Sequence, residues 1–216
     1  MTARSLKADG NCDYGSFMVL TRLSRRALIG AGASTILAGL ALRGVQAEQS
    51  LLPVTSQCGD GDEPTPRQTE GPYFTPNSPE RTNLLEDGMP GERLALAGFV
   101  LDRRCRPVAG ALLDLWHCDS TGEYDNQGYR LRGHQFSDAQ GRFVFETIVP
   151  GLYPGRTRHY HIKVQAPGRS ILTTQLYFPG EPGNDDDRIF NAALVLDIPL
   201  GRGPNLARYD FVLDLG

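Results

Sequence analysis

The chain has 216 residues, of which 40% are hydrophobic and 22% charged, and its formal net charge is −3. This length suits one domain, or one domain with a targeting segment. The slightly acidic balance argues against a basic surface for nucleic acid, and no polybasic or amphipathic membrane-binding segment stands out. The composition therefore predicts a folded domain that does not bind nucleic acid.

The first 47 residues have the pattern of an export signal. Arg25 and Arg26 form a twin-arginine pair, an apolar run follows from Ala27 to Leu42, and Val45-Gln46-Ala47 offers the small residues of a cleavage site. The run of 16 mildly apolar residues is too short for a stable membrane anchor. We therefore predict a twin-arginine signal region at 1–47 and an exported, already folded protein that is periplasmic or secreted.

Cleavage after residue 47 would leave an acidic domain with three cysteines. It would remove six of the 22 Lys and Arg residues and two of the 25 Asp and Glu residues, leaving 169 residues with a net charge of −7. Met18 begins a more conventional signal and is a second candidate for the true start. Cys58, Cys105 and Cys118 could supply one disulfide in an oxidising compartment, but their number and spacing leave the pairing open. No Cys-x-x-Cys motif occurs, so thiolate zinc is not expected.

The rest of the chain is predicted to be a polar arm followed by an all-β domain. Residues 48–67 are rich in Pro, Gly and Asp and are predicted to form an extended arm; residues 68–216 form the domain. Runs of six to eight residues rich in β-branched and aromatic types alternate with turns, and no segment has a helical period. This pattern predicts an antiparallel β-sandwich with long loops. The predicted strands are Leu94–Leu101, Ala111–Cys118, Gly141–Ile148, His159–Ala166, Ile171–Phe178, Ala193–Ile198 and Arg208–Leu213.

A pair of histidines one residue apart is the first sign of a metal site. His159 and His161 begin a predicted strand, so their side chains should share one face, about 7 Å apart at Cβ. Tyr153 lies just upstream in a Pro-Gly-x-Tyr-Pro turn, and Arg156 lies between them. A His-x-His pair is also common on exposed strands, and a tyrosine in such a turn often serves packing alone. The group therefore needs support from elsewhere in the chain.

The scaffold also permits a function without metal. The glycines, prolines and aromatics between Gly98 and Tyr153 resemble those of prealbumin-like sandwich modules that bind ligands or carbohydrates. A metal-free binding module is therefore the competing hypothesis.

Tyr124 completes a possible set of four metal ligands. It follows a turn after the second predicted strand, where a loop could direct its phenol at His159 and His161. A free phenol has a pKa near 10, so deprotonation of both Tyr124 and Tyr153 at neutral pH requires a strongly Lewis-acidic ion. Hard phenolate oxygens with borderline imidazoles favour Fe(III) over zinc or calcium.

Other potential ligands fit less well. The spacing of Asp185, Asp186 and Asp187 matches no calcium-binding loop, and we interpret the run as a solvated turn. By strand alternation His117 faces away from Trp116, and nothing pairs it with the site. His134 is expected in a loop near the site, in a supporting or surface role.

Six motifs in order resemble those of the intradiol ring-cleavage dioxygenases, a family that opens catechols with non-haem Fe(III). They lie between Gln68 and Gly180. The motifs are Gln-Thr-Glu-Gly-Pro-Tyr-Phe from Gln68, Asp-x-Trp-His from Asp114 with Gly-x-Tyr-Asp from Gly122, Leu-Arg-Gly from Leu131, Thr-Ile-x-Pro-Gly-x-Tyr-Pro from Thr147, Arg-x-x-His-x-His from Arg156, and Thr-Gln-Leu-Tyr-Phe from Thr174.

The resemblance implies an Fe(III) cofactor and assigns its ligands. These fall on Tyr124, Tyr153, His159 and His161. Relatives usually have Ile between the two histidines, where this chain has Tyr160, but that side chain should point to the opposite face of the strand. The resemblance is to the short, exported branch, which leaves a homo-oligomer as one option.

The resemblance also implies the reaction. Arg156 would stabilise negative charge on the substrate, Gln175 would position it, and Gly71 and Pro72 would line its pocket. A catechol would bind through both oxygens, with Tyr153 leaving as a base, and O2 would open the ring to a cis,cis-muconate. Whether the diol is catechol, protocatechuate, hydroxyquinol or a chlorinated catechol is left open.

Overall fold

The protein is described by a computed structural model over residues 63–199 and 205–216. The proposed signal region, Met18, Cys58 and most of the arm lie outside the described residues. Those described form eight strands and two short 3-10 turns, Pro182–Asn184 and Ala192–Leu194, and none of their helical segments could cross a membrane. The strands are β1 Arg93–Asp102, β2 Leu112–Trp116, β3 Arg132–Phe136, β4 Arg142–Ile148, β5 His159–Gln165, β6 Leu172–Tyr177, β7 Leu206–Arg208 and β8 Phe211–Leu213.

The strands form two four-stranded sheets. One has the order β3-β2-β5-β6 and is antiparallel throughout. In the other, β4 pairs antiparallel with β1, whereas β7 and β8 both pair parallel with β1. The expected all-β sandwich is confirmed, with the correction that its C-terminal strands join in parallel.

In the described part of the chain, an apolar core lies between the sheets. The alternation within β4 shows how it forms, because Phe143 and Phe145 are buried while Val144 and Glu146 are exposed. Burial of such side chains stabilises the sandwich by about 1.5–3 kcal/mol each. Fully buried members from both sheets include Leu96, Phe145, Leu113, Ile162 and Leu176.

The sequence did not predict β3. Its residues, Arg-Gly-His-Gln-Phe, have no apolar alternation, so the segment was expected to be a loop. It forms a strand because its backbone pairs with β2, from Leu112 opposite Phe136 to Trp116 opposite Arg132. His134 accordingly lies on a strand and not in a loop.

Two predictions near the C-terminus were wrong. The segment predicted as strand 193–198 starts in a 3-10 turn, where the Asn191 side chain accepts the Ala193 N–H, and then makes only isolated bridges. The strand predicted at 208–213 is divided between β7 and β8. The division falls where the Asp210 carboxylate accepts the Phe99 N–H, and a Cβ on Gly98 would lie 1.8 Å from the Tyr209 carbonyl oxygen.

Candidate metal centre

Strand alternation in β5 places the two histidines on the outer face of their sheet. Tyr160 and Ile162 point into the sandwich core, so His159 and His161 point the other way. The Tyr160 hydroxyl donates to the Ile148 carbonyl oxygen at 2.8 Å. As expected, this tyrosine lies away from the two imidazoles.

Two loops that contact each other bring the tyrosines to the same place. The loop that carries Tyr124 meets the loop that carries Tyr153 where the Gly151 N–H donates to the Asp119 carbonyl oxygen at 2.7 Å. Gly122 has φ +93°, and a Cβ there would lie 2.3 Å from the Leu152 carbonyl oxygen. This close approach, which only glycine permits, sets the Tyr124 and Tyr153 ring centroids 5.8 Å apart.

The imidazole geometry fits two neighbouring ligands of one metal ion. Nδ1 of His159 donates to the Thr157 carbonyl oxygen at 2.7 Å, so its Nε2 carries the free lone pair of a neutral imidazole. The Nε2 atoms of His159 and His161 lie 3.1 Å apart. Ligands about 2.1 Å from a metal and at right angles to each other are about 3 Å apart.

Tyr124 fits the same metal. Its hydroxyl is buried and has no hydrogen-bond partner among the described residues, which is rare for a buried polar group. Its ring centroid is 6.1 Å from that of His161. A metal ion beside the imidazoles would satisfy this oxygen.

Burial favours the neutral forms of three of the proposed ligands, His159, His161 and Tyr124. Burial lowers the pKa of His159 to about 4 and lowers that of His161 well below its usual value. Burial also raises the pKa of Tyr124 above its usual value. Neutral imidazoles are ready to bind a metal, whereas this phenol loses its proton only to a strongly Lewis-acidic ion, which suits Fe(III).

Arg156 is held at the site by two partners. One Nη donates to Oε1 of Gln175 at 2.7 Å, and Nε donates to Oδ2 of Asp187 at 2.8 Å. The same Asp187 oxygen accepts the Thr157 N–H at 3.0 Å. The interpretation of 185–187 as a solvated turn is therefore wrong for Asp187, which is buried.

The Gly-Pro-Tyr segment lies against the centre. A Cβ on Gly71 would lie 3.3 Å from Cε1 of His161, whereas Pro72 is exposed. Tyr73, which the sequence did not single out, stacks on Tyr124 with centroids 4.5 Å apart, and its hydroxyl is 2.8 Å from that of Tyr153. The hydrogen bond to Tyr153 raises the pKa of Tyr73. In the sequence, the only sign that Tyr73 contacts the two tyrosines was the pair of aromatic residues, Tyr73 and Phe74, at the end of this motif.

The remaining histidines lie outside the ligand set. His117 is buried on the core side, where it donates to the Cys118 carbonyl oxygen and accepts from the Thr147 hydroxyl, each at 2.7 Å. Burial lowers its pKa to about 4. His134 is 2.7 Å from the Ser78 carbonyl oxygen, through Nδ1.

Comparison with known proteins agrees with this arrangement. The Dioxygenase family model matches residues 69–214, more than half of the chain. The chain is 32% identical over 152 residues to catechol 1,2-dioxygenase 2 of Acinetobacter lwoffii, covering 58% of this chain and 55% of the relative. It is 34% identical over 127 residues to the protocatechuate 3,4-dioxygenase beta chain of Burkholderia cepacia, covering 50% of this chain and 54% of the relative.

A solved structure is similar over a larger part of its own length. It is the dioxygenase domain of a dioxygenase–carbohydrate-binding protein fusion from the cellulolytic bacterium Streptomyces sp. SirexAA-E, with 54% identity and a TM-score of 0.69 over 71% of this chain and 100% of that one. The chain spans about half the length of the Acinetobacter and Burkholderia relatives. With the family match, the shared sandwich and the relatives in agreement, the chain belongs to the intradiol ring-cleavage dioxygenase family.

Proposed function

We propose that this protein is a non-haem Fe(III) dioxygenase that inserts both atoms of O2 into a catechol-type diol and cleaves the ring between the two hydroxylated carbons. The observation that carries the proposal is the convergence of two imidazole nitrogens, 3.1 Å apart, with two tyrosine rings on one sheet face. The names of the relatives, catechol and protocatechuate dioxygenases, support this substrate class.

The two tyrosines differ in what they can do. Bound Fe(III) would supply the Lewis acidity that draws electron density from a chelated diolate, so that O2 reacts at ring carbon. Tyr153 is half-buried and its hydroxyl has a partner in Tyr73, 2.8 Å away, so it would be the tyrosine free to leave the metal and accept a substrate proton. Tyr124 is buried without such a partner among the described residues, so it would remain a ligand.

Arg156 and Gln175 would act on the substrate. The guanidinium is fixed by Gln175 and Asp187, so its charge is already oriented before the reaction begins. A donor held in this way stabilises charge that develops in the transition state without a cost of reorganisation. Arg156 would therefore stabilise negative charge on the ring, and Gln175 would orient both the arginine and the diol.

The products of a diol panel test this proposal. Catechol, protocatechuate, hydroxyquinol and chlorocatechols are each incubated with the protein, and the product spectra are recorded. We expect muconate-type products that absorb only in the ultraviolet, with no need for added Fe(II) or ascorbate, because two tyrosinates stabilise Fe(III). A yellow semialdehyde, or strict dependence on Fe(II), would refute intradiol cleavage. The best substrate in the panel would identify the diol.

Colour separates this function from the competing one. Tyrosinate-to-Fe(III) charge transfer should make the purified protein burgundy. A metal-free ligand- or carbohydrate-binding sandwich would be colourless.

We also propose export by the twin-arginine route, as the sequence predicts. Cys105 is disulfide-bonded whereas the buried Cys118 is a free thiol, and a structural disulfide is typical of an oxidising compartment. Replacing both Arg25 and Arg26 by lysine should leave the protein in the cytoplasm, because the pair is what the pathway recognises. Cell fractionation measures this, and the mature periplasmic protein should begin near Glu48. Normal export of the double variant would exclude the route.

A further inference from the structure

Arg132 is a buried cation whose partners are backbone carbonyl groups. It lies on β3 with 1% of its surface exposed, and it belongs to none of the ion pairs among the described residues. Burial of a charge without a carboxylate partner is unfavourable, so an arginine in such a place needs a reason. The Leu-Arg-Gly motif identified this residue in the sequence but gave it no role.

Three donors of Arg132 join two separate segments of the chain. Nε and Nη2 donate to the Asp125 carbonyl oxygen at 3.0 and 2.7 Å, and Nη1 donates to the Tyr73 carbonyl oxygen at 2.6 Å. Asp125 directly follows Tyr124. One guanidinium therefore connects the loop that carries the proposed ligand Tyr124 to the Gly-Pro-Tyr segment that ends at Tyr73.

Both segments act on the tyrosines of the centre. The Tyr73 ring stacks on Tyr124 at 4.5 Å and meets Tyr153 edge-on at 5.5 Å. The backbone of Arg132 is held in place, since it pairs across the sheet with Trp116. The Trp116 ring in turn stacks on His161 with centroids 5.0 Å apart. Movement of the Arg132 side chain would therefore shift the phenol groups of Tyr124 and Tyr153, while β5, which carries the two histidines, stays paired.

Only arginine suits this position. Its planar fork presents several N–H groups in fixed directions and can serve two carbonyls at once. A lysine at the same place has three donors, but they are all on one nitrogen at the end of a flexible chain, without the fixed fork that reaches both carbonyl groups. A methionine would fill the space without any donor.

We propose that Arg132 is a positioning residue for the metal centre, which fixes Tyr124 through the Asp125 carbonyl group and Tyr153 through Tyr73. This inference rests on the proposed Fe(III) site. The residue touches neither metal nor substrate and acts through the backbone of its neighbours.

The test compares Arg132→Met and Arg132→Lys with a matched control, Arg142→Met. Arg142 is also on a strand, but it pairs with Asp138, where both side chains are partly exposed. The measurements are iron release to a chelator, the energy of the tyrosinate-to-iron visible band, and the unfolding temperature of the iron-free protein. Loss of a residue that orients a metal ligand commonly weakens metal binding about 10–100-fold. We expect a loss of this size with a shifted band in Arg132→Met, a smaller effect in Arg132→Lys, and neither effect in Arg142→Met.

Each contrary outcome has a distinct meaning. A colourless, iron-free wild type would overturn the proposed function, and this inference with it. A burgundy wild type with the same band and iron affinity in Arg132→Met would overturn this inference alone. If neither Arg132 variant folds without iron, or if only their unfolding temperature falls, the residue serves the fold and the positioning role is rejected.

Discussion

Replacement of either His159 or His161 by alanine should give a folded protein that has lost its iron, its colour and its activity. Each imidazole is one of four proposed protein ligands, and their Nε2 atoms lie 3.1 Å apart. Loss of a residue that merely orients a ligand weakens metal binding about 10–100-fold, so loss of a ligand itself should exceed about 100-fold. Iron per chain and visible absorbance measure the effect. Folding should survive, because both side chains lie outside the sandwich core.

His117→Ala is the matched control for the histidine ligands. His117 is as buried as they are, at 1% against 3% exposed, but its two hydrogen bonds lie on the core side. The substitution should lower the free energy of unfolding by about 1–3 kcal/mol, since it leaves the Thr147 hydroxyl without its partner, and should leave iron content unchanged. Full iron in His161→Ala together with iron loss in His117→Ala would contradict the assignment.

Features set by local pattern were predictable from the sequence. The period of two in β5 places His159 and His161 on one face and Tyr160 on the other, which follows from strand geometry alone. The placement of Tyr124 and Tyr153 needed the family resemblance. Their loops meet only because Gly122 permits a close approach to Leu152, which is a contact between distant parts of the chain.

Features set by distant contacts were not predictable. Asp187 is 31 residues from Arg156, and nothing in a run of three aspartates shows which one turns inward. Arg132 is 59 residues from the Tyr73 carbonyl that it binds. The polar strand β3, which carries Arg132, forms through pairing with β2 and has no pattern of its own. In each case the partner supplies the information that the local sequence lacks.

The second large effect should come from Arg156, whose loss should stop turnover without removing iron. Its guanidinium binds Gln175 and Asp187 and is not among the proposed ligands, so Arg156→Ala should keep iron content and the visible band. Removal of one preorganised donor to developing charge commonly costs about 10²–10³ in rate. Turnover of the best diol should fall by this factor in kcat. Arg156→Lys should recover only part of it, because lysine keeps the charge but cannot bind both partners in a plane.

Arg158 offers a nearby control for Arg156. Arg158 pairs with Glu181 at 2.7 Å with 23% of its side chain exposed, and Arg156 pairs with Asp187 at 2.8 Å with 20% exposed. Both variants therefore lose an ion pair, but the Arg156 guanidinium also donates to Gln175, whereas the Arg158 guanidinium also donates to the Pro150 carbonyl oxygen. Asp187→Asn should lower kcat less than Arg156→Ala, because it loosens the guanidinium without removing it. If Arg156→Ala and Arg158→Ala turn over alike, near the wild-type rate, the Arg156 ion pair serves the fold and the charge on the ring is stabilised by the metal alone.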